Sequence, residues 1–468
     1  MTIPGNRSFY RHVTSRLLAW KAAERRKPLI IRGARQVGKT TLVHEFATTH
    51  FKHVIVMNLE RQSDLAFFRH FHHVPTLVDA LFLERNLPVR DRQETLLFID
   101  EIQESPEAIG MLRYFYEDVP DLPVIAAGSL LEHALSRIPN IPVGRVEYLY
   151  LHPMNFPEFL LASGYQQAAE ALRQVPIQPH VHPTLLRLFH EYAIIGGMPE
   201  VVQTYLQHRQ IADLPVVYEQ IWGTYKDDVA KYASNDSEAR VLKHVIRTAH
   251  NAVDQRIKFE HFGRSDYRSR EVGEAFRNLD DARVIQLIYP TTDIAPPLKP
   301  DIRKSPRLLF LDTGLLNHET GIQAQLLGML DLSQAYRGVL IPHLIMQEAQ
   351  SLESASWKKP LFWVREKAQA SAEVDLVVVH QGKAVPVEIK SGKAGTLRSL
   401  HEFIDRTDHA YAVRMYAGEF KIETHRTPRN QKPYFLLNLP YYLGTQLHPC
   451  LDYLMNHAEK RSADQSAW

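Results

Sequence analysis

The chain reads as an α/β protein: a parallel sheet wrapped by helices, then a helical stretch, a small helix–strand module and a second α/β unit. Three observations predict this. Apolar runs at residues 28–32, 95–99 and 123–128 are each followed by small or polar residues and a helical pattern. Helical periodicity dominates residues 160–255. Two β-rich runs, 373–379 and 384–390, flank His380-Gln381-Gly382-Lys383. The expected organisation is 1–160, 161–255, 256–305, 306–430 and a C-terminal extension over 431–468.

The first element carries the most information. Pro28-Leu29-Ile30-Ile31-Arg32 is an apolar strand, and Thr41-Leu42-Val43-His44-Glu45-Phe46 opens a helix. Between them lies Gly33-Ala34-Arg35-Gln36-Val37-Gly38-Lys39-Thr40-Thr41. A glycine, four residues and Gly-Lys-Thr suit a triphosphate. The glycines let backbone N–H groups point inward, the helix N-terminus adds positive potential, and Lys39 reaches the β and γ phosphates. Thr40 offers its hydroxyl to Mg²⁺. The bland reading, a glycine turn between strand and helix, leaves the lysine and threonine unexplained. Arg35 is open: it meets a phosphate or pairs at the surface.

The next buried strand, Thr95-Leu96-Leu97-Phe98-Ile99, ends in Asp100-Glu101. Asp100 is the expected Mg²⁺-shell acid, because that ion favours hard oxygen ligands and water. Glu101 is the expected catalytic carboxylate, orienting and polarising the attacking water. A third strand, Pro123-Val124-Ile125-Ala126-Ala127-Gly128, ends at Ser129. Ser129 either senses the γ-phosphate or caps the helix at Leu130. Arg145, in Val143-Gly144-Arg145-Val146-Glu147, either stabilises transition-state charge, in its own subunit or a neighbour's, or is a salt-bridged surface residue. Oligomerisation is thereby left open.

Bulk properties narrow the classes. With 468 residues, 45% hydrophobic and 23% charged, the chain can build two or three domains with substantial cores. Net charge is only +2, so any nucleic-acid surface must be a local patch. Cys450 is the single cysteine, which excludes an intrachain disulfide and multi-cysteine metal sites and fits a reducing cytoplasm. No apolar run of membrane-spanning length occurs and the N-terminus shows no signal-like apolar region, so a cytoplasmic protein with no membrane partner is expected.

Beyond residue 152, His152-Pro153-Met154-Asn155-Phe156-Pro157 reads as a link into a helical lid, broken at the turn Gly196-Gly197-Met198-Pro199. Ser269 is placed to cap a helix with Val272, Ala275, Phe276 and Leu279 on its apolar face, followed by a strand from Arg283 to Tyr289. That order suits a small winged helix. Arg264, Arg268, Arg270 and Arg277 lie near its polar side, for DNA contact or as a solvated face of a protein-docking module. Pro290 to Pro306 reads as an extended linker.

A second constellation follows. With a two-residue turn at Gln381-Gly382, His380 pairs with Lys383, Asp375 faces Glu388 and Glu373 faces Lys390. Opposed carboxylates repel, and a divalent cation between them turns the penalty into a site. Upstream, Pro342 is placed to start a helix carrying Leu344, Ile345, Glu348 and Leu352 on one side. A carboxylate in an apolar stripe needs a cation or a donor, so Glu348 is the expected third acid. Asp375, Glu388 and Lys390 have the order of the phosphodiesterase core in restriction-endonuclease-like folds, where acids hold Mg²⁺ and the lysine positions water. The bland alternative is a hairpin edge with a Glu373–Lys390 ion pair.

The loop at Gly33 to Thr41, Leu97 to Glu101, Gly196-Gly197-Met198-Pro199-Glu200, Leu311-Asp312-Thr313-Gly314-Leu315-Leu316, Glu373-Val374-Asp375 and Glu388-Ile389-Lys390 occur in that order. Together they resemble the prokaryotic AAA-type P-loop ATPases whose C-terminal domain of unknown function has a restriction-endonuclease-like core. The resemblance runs over residues 10–420 and implies a nucleotide-hydrolysing domain, a winged-helix connection and a nuclease-like domain. It presents Asp312 as a hallmark, for which a helix-capping role is expected. The leading expectation is an ATPase, using ATP and Mg²⁺, that controls a Mg²⁺-dependent nuclease-like domain acting on nucleic acid, DNA favoured. The rival is an ATP-dependent switch whose C-terminal domain only binds nucleic acid or protein.

Overall fold

The computed structural model describes residues 9–129, 144–233, 235–253, 255–326, 339–367, 370–389 and 397–466. The chain divides into two compact units. The first is Met1–Pro153 with the short returns Asp281–Val284 and Glu353–Trp357; the second holds the remainder.

In the first unit, β1 (Leu29–Arg32), β2 (His53–Asn58), β3 (Thr95–Asp100), β4 (Val124–Gly128) and β5 (Glu147–Tyr150) form one parallel sheet in the order β2-β3-β4-β1-β5. β3 and β4 are buried at every residue, as parallel strands covered on both faces must be. Helices Lys39–His50, Gln62–His70, Val74–Glu84 and Pro106–Asp118 connect the strands. Ser105 caps the last of these, its hydroxyl accepting from Ala108 N at 3.1 Å, with Pro106 pre-set for the first turn. Register fixes which residues share an end of the sheet. Arg32 lies beside Gly128 and Tyr150, and Ile99 beside Ala126, so Gly33, Asp100 and Ser129 all leave at the carboxyl ends of their strands. The two returning segments are tied in locally: Tyr150 N donates to Ser354 O (2.9 Å), and Trp357 stacks on His152 (4.7 Å) with Arg283 over its ring (3.8 Å).

The second unit begins with helices, among them Phe156–Ala162, His182–Ile195, Pro199–His208, Leu214–Tyr232 and Asp236–Thr248. The first opens with a capping box between Asn155 and Glu158. The helix expected after Ser269 runs Ser269–Asp281, and Val272, Ala275, Phe276 and Leu279 are all buried. The strand after it, β6 (Ile285–Ile288), pairs antiparallel with β8 (Arg307–Phe310). That pairing crosses the expected boundary at 305/306. The intervening Pro-rich stretch, expected as an extended linker, is tied down at its start. Its first residues form β7 (Pro290–Thr291), which joins the edge of a seven-stranded sheet.

That sheet contains β9 (Leu361–Lys367), β10 (Ala370–His380), β11 (Lys383–Ile389), β12 (Tyr411–Tyr416), β13 (Lys421–Arg426) and β14 (Pro433–Pro440). Its order is β13-β14-β12-β11-β10-β9-β7. Residues 431–468 are therefore no appendage: β14 is an interior strand, and the helix Leu447–Ser466 follows it. Leu436, Leu437 and Leu439 are fully buried, which is why the sheet keeps this strand inside. Among the described residues no helix is long and apolar enough to cross a membrane.

Candidate active site

The loop after β1 is shaped by backbone conformations that few side chains tolerate. Gly33 has φ +155°, and a Cβ there would lie 2.3 Å from the Leu151 carbonyl oxygen. Gln36 (+60°) and Gly38 (+93°) also have positive φ, and Gly38 caps the helix Lys39–His50. Such alternation turns consecutive N–H groups toward one concavity, a nest for anions at a helix N-terminus. Within the loop Ala34 and Val37 are buried, while Arg35 and Thr41 are half-buried. Lys39 is buried and bends back across the loop, Nζ donating to Gly33 O (3.0 Å) and Ala34 O (2.7 Å). Arg11, which the sequence did not single out, braces the loop from beneath: it is buried and donates to Val37 O (2.9 Å) and His152 O.

The acids stand where the strands end. Thr40 Oγ1 donates to Asp100 Oδ2 at 2.9 Å, and Glu101 N donates to Asp100 Oδ1 at 3.1 Å. Burial, foremost, pushes the Asp100 carboxyl above its ordinary range; the neighbouring Glu101 charge adds to this, while the Thr40 hydrogen bond opposes it. Glu101 sits in the left-handed region (φ +50°), and its Oε2 accepts from Gln103 Nε2 at 2.6 Å. Ser129 follows the Gly128 that pairs with Arg32, so it lies next to the loop. It is buried, and its Oγ has no hydrogen-bond partner among the described residues. A buried orphan hydroxyl at a phosphate nest is what a γ-phosphate oxygen would satisfy. Nest, lysine, Thr40–Asp100 pair and Ser129 together fit a Mg²⁺-bound nucleoside triphosphate.

Arg145 is placed elsewhere. Glu147 of β5 pairs with Leu29 at the start of β1, so Arg145 lies at the amino end of the sheet, opposite the loop. There its Nε donates to Glu117 Oε1 at 2.8 Å, and it holds the Glu117 carboxyl below its usual range, with Arg113 helping. A γ-phosphate role within its own subunit is overturned by strand direction, and the surface ion pair takes its place.

The second constellation is met in part. β10 and β11 pair in the expected register, His380 with Lys383 through to Leu376 with Val387. The regular pairing stops at Leu376–Val387, one step short of Asp375 and Glu388; there the Asp375 side chain takes over, its Oδ2 accepting from Ile389 N at 2.9 Å. Pairing of β10 with β9 shifts register between Val374 and Val377, so Asp375 lies in an irregular stretch of the strand. The charge beside it is a guanidinium: Arg307 pairs with Glu373 and, at 3.7 Å, with Asp375. Glu388 is buried. Lys390 lies outside the described residues. Glu348 is not a third ligand. It is buried under the helix Phe156–Ala162, accepting from Phe156 N (3.1 Å) and Tyr192 Oη (2.7 Å), and burial raises its carboxyl to about 8. Its apolar stripe demanded a donor, and the helix start and a tyrosine supply one. Among the described residues, no three His, Cys, Asp or Glu side chains cluster so as to hold a metal.

Asp312 has the capping role expected of it. It is fully buried at the start of the helix Thr313–Glu319, accepting from Leu315 N (3.1 Å) and Gly197 N (2.6 Å), and burial raises its carboxyl to about 6. A Cβ on Gly196 would meet Asp312 Oδ1 at 2.3 Å, and one on Gly314 would meet Ile195 O at 2.0 Å. The two glycine motifs are thus one close backbone crossing.

Residues 25–160 match the family model of an AAA domain. Residues 186–326 and 338–437 match two domains of unknown function, DUF8612 and DUF4143. Among solved structures, the chain is similar to the RuvB Holliday junction branch migration motor of Thermotoga maritima, at 16% identity over 63% of this chain and 93% of that one, TM-score 0.26. It is also similar to AMPPCP-bound DnaA from Aquifex aeolicus, at 13% identity over 57% and 86%, TM-score 0.24. Overall superposition at this level bears on neither fold nor task. No curated protein matches. The fold is carried by the sheet order, the loop and the AAA match: the first unit is an AAA-type P-loop domain.

Proposed function

We propose that the first unit binds ATP with Mg²⁺ and hydrolyses it, and that this cycle controls a second unit that binds nucleic acid, DNA favoured. The carrying observation is the 2.9 Å Thr40–Asp100 hydrogen bond beside Lys39 and Glu101, at the carboxyl end of the sheet. Thr40 and Asp100 would hold the metal, the amides of residues 33–41 and Lys39 the phosphates, and Ser129 a terminal oxygen. Glu101 would take up the attacking water's proton, released from Gln103. Lys39→Ala should lower Mg²⁺-dependent phosphate release by about 10²-fold or more, since a cation aimed at developing charge is lost. Undiminished release would refute the assignment.

For the second unit, the helix Ser269–Asp281 with the β6–β8 pair supports a winged-helix-like reading, and Arg264, Arg268, Arg270 and Arg277 are exposed on or near it. The Arg307 pairing with Glu373 and Asp375 supports a binding module over a metal centre. A nuclease reading draws on one observation, the β10–β11 register, which if carried one step past Leu376–Val387 would set Asp375 opposite Glu388, two residues before Lys390. Mg²⁺-dependent cleavage of plasmid DNA that Glu388→Gln abolishes would establish it; no cleavage by the wild type removes it.

A further inference from the structure

The second unit carries an open basic depression, here called the groove, apart from the proposed ATP site. Arg256, Lys258, Arg303 and Lys304 line it with Asp301 and Glu366, around a space of about 660 Å³. Four cations face two carboxylates, leaving a surplus of two positive charges. Both acids stay ionised at neutral pH, because Lys304 and Arg256 hold Glu366, and Arg303 holds Asp301, below the ordinary carboxylate range. These pairs also orient the cations. Arg256 reaches Glu366 and, through Nε, Ser305 O at 3.2 Å, while Arg303 Nε meets Asp301 Oδ1 at 3.2 Å. Lys258 is exposed and has no ion-pair partner among the described residues.

The groove also has continuations. Ile257 N donates to Pro306 O (2.8 Å), which fastens the wall bearing Arg256 to the strand bearing Arg307. Arg307 in turn pairs with Glu373 and Asp375 of β10. On the other side, Phe259 packs against Phe276 (5.8 Å) of the helix that carries the exposed Arg270 and Arg277. A cluster of guanidinium and ammonium groups around an open depression, some held by carboxylates and some free to turn, suits the phosphates of a nucleic-acid strand.

We propose that this groove is the phosphodiester track of the second unit: it takes the backbone of a nucleic-acid strand and leads it past Arg307 to Asp375. The assignment rests on the nucleic-acid reading above and names its site. Its test uses the full chain, with fluorescence anisotropy of labelled single-stranded and duplex DNA across a salt series. The variant is Lys258→Glu combined with Arg303→Gln, both positions being exposed. Affinity should fall about tenfold or more, and the slope of log affinity against log salt should shrink by about 2, one unit per lost phosphate contact. ATP turnover without DNA should be unchanged. Arg429→Glu, in the turn between β13 and β14 at the opposite edge of the sheet, should shift affinity less than about twofold, because that charge lies off the track.

Wild-type binding that the double variant retains with the same salt slope overturns the groove and leaves the nucleic-acid reading standing. Absence of wild-type binding to DNA and to RNA of the same sequence overturns both. Binding of phosphatidylserine vesicles that the double variant loses, with DNA binding intact, overturns the proposal in favour of a membrane.

Discussion

Asp100 in the first unit and Asp375 in the second are both strand carboxylates next to a second acid, yet they keep different company. Asp100 has a hydroxyl and a backbone amide for partners, and burial penalises its charge. Asp375 has a backbone amide and the guanidinium of Arg307. A carboxylate whose hydrogen-bond partners are neutral, with only the more distant charge of Lys39 acting on it, leaves its own charge available to a further cation. A carboxylate with an arginine of its own already has its counterion. Neighbouring acids on a strand therefore mean little until the cation beside them is known.

The largest expected effect breaks the comparison on its first side. Glu101→Gln should cut ATP turnover by about 10²–10⁴-fold, the usual worth of a positioned base, with ATP affinity changed only a few-fold. Equal losses of affinity and turnover would show that Glu101 shapes the loop instead. On the second side, Arg307→Gln strips Glu373 and Asp375 of their cation. The thermal midpoint should fall by the equivalent of about 2 kcal/mol, less than for a fully buried pair because Glu373 is partly open to water. Calorimetric titration should then show Mn²⁺ binding that the wild type lacks at this site; an unmoved midpoint and no metal binding would make the pairing incidental.

The smallest effect concerns Glu348, which shifts stability with pH and leaves turnover alone. Its folded value, about 8, lies above the ordinary 4.5. Its contribution is thus whole below pH 4.5 and is lost as pH rises through about 8. Glu348→Gln should flatten the decline of stability across that window, read by denaturant unfolding at a series of pH values. Parallel curves for wild type and variant would mean that the carboxyl is charged throughout.

The shape of the loop after β1 was legible because its determinants are local: glycines, lysine and threonine lie within nine residues and state their own geometry. The β10–β11 register was legible for the same reason, since a two-residue turn fixes every facing pair behind it. What escaped was contributed from afar. Arg11 meets Val37 across 26 positions and Arg307 meets Glu373 across 66. Neither has a pattern that one sequence could display. Glu348 shows the intermediate case: its apolar setting required a partner, but not a particular one. Arg145 teaches direction. A residue just before a parallel strand lies at the amino end of the sheet, so its position alone argued against reaching the loop.

The placement of β14 between β12 and β13 reaches beyond the fold description. A chain cut at residue 430 would lose the strand that satisfies both neighbours, leaving the amides and carbonyls of β12 as a bare edge of apolar Val413 and Met415. Such a fragment should gather into aggregates, whereas one that retains the helix Leu447–Ser466 keeps its ladder closed. Where the recognisable motifs stop is no guide to where this polypeptide can safely be severed.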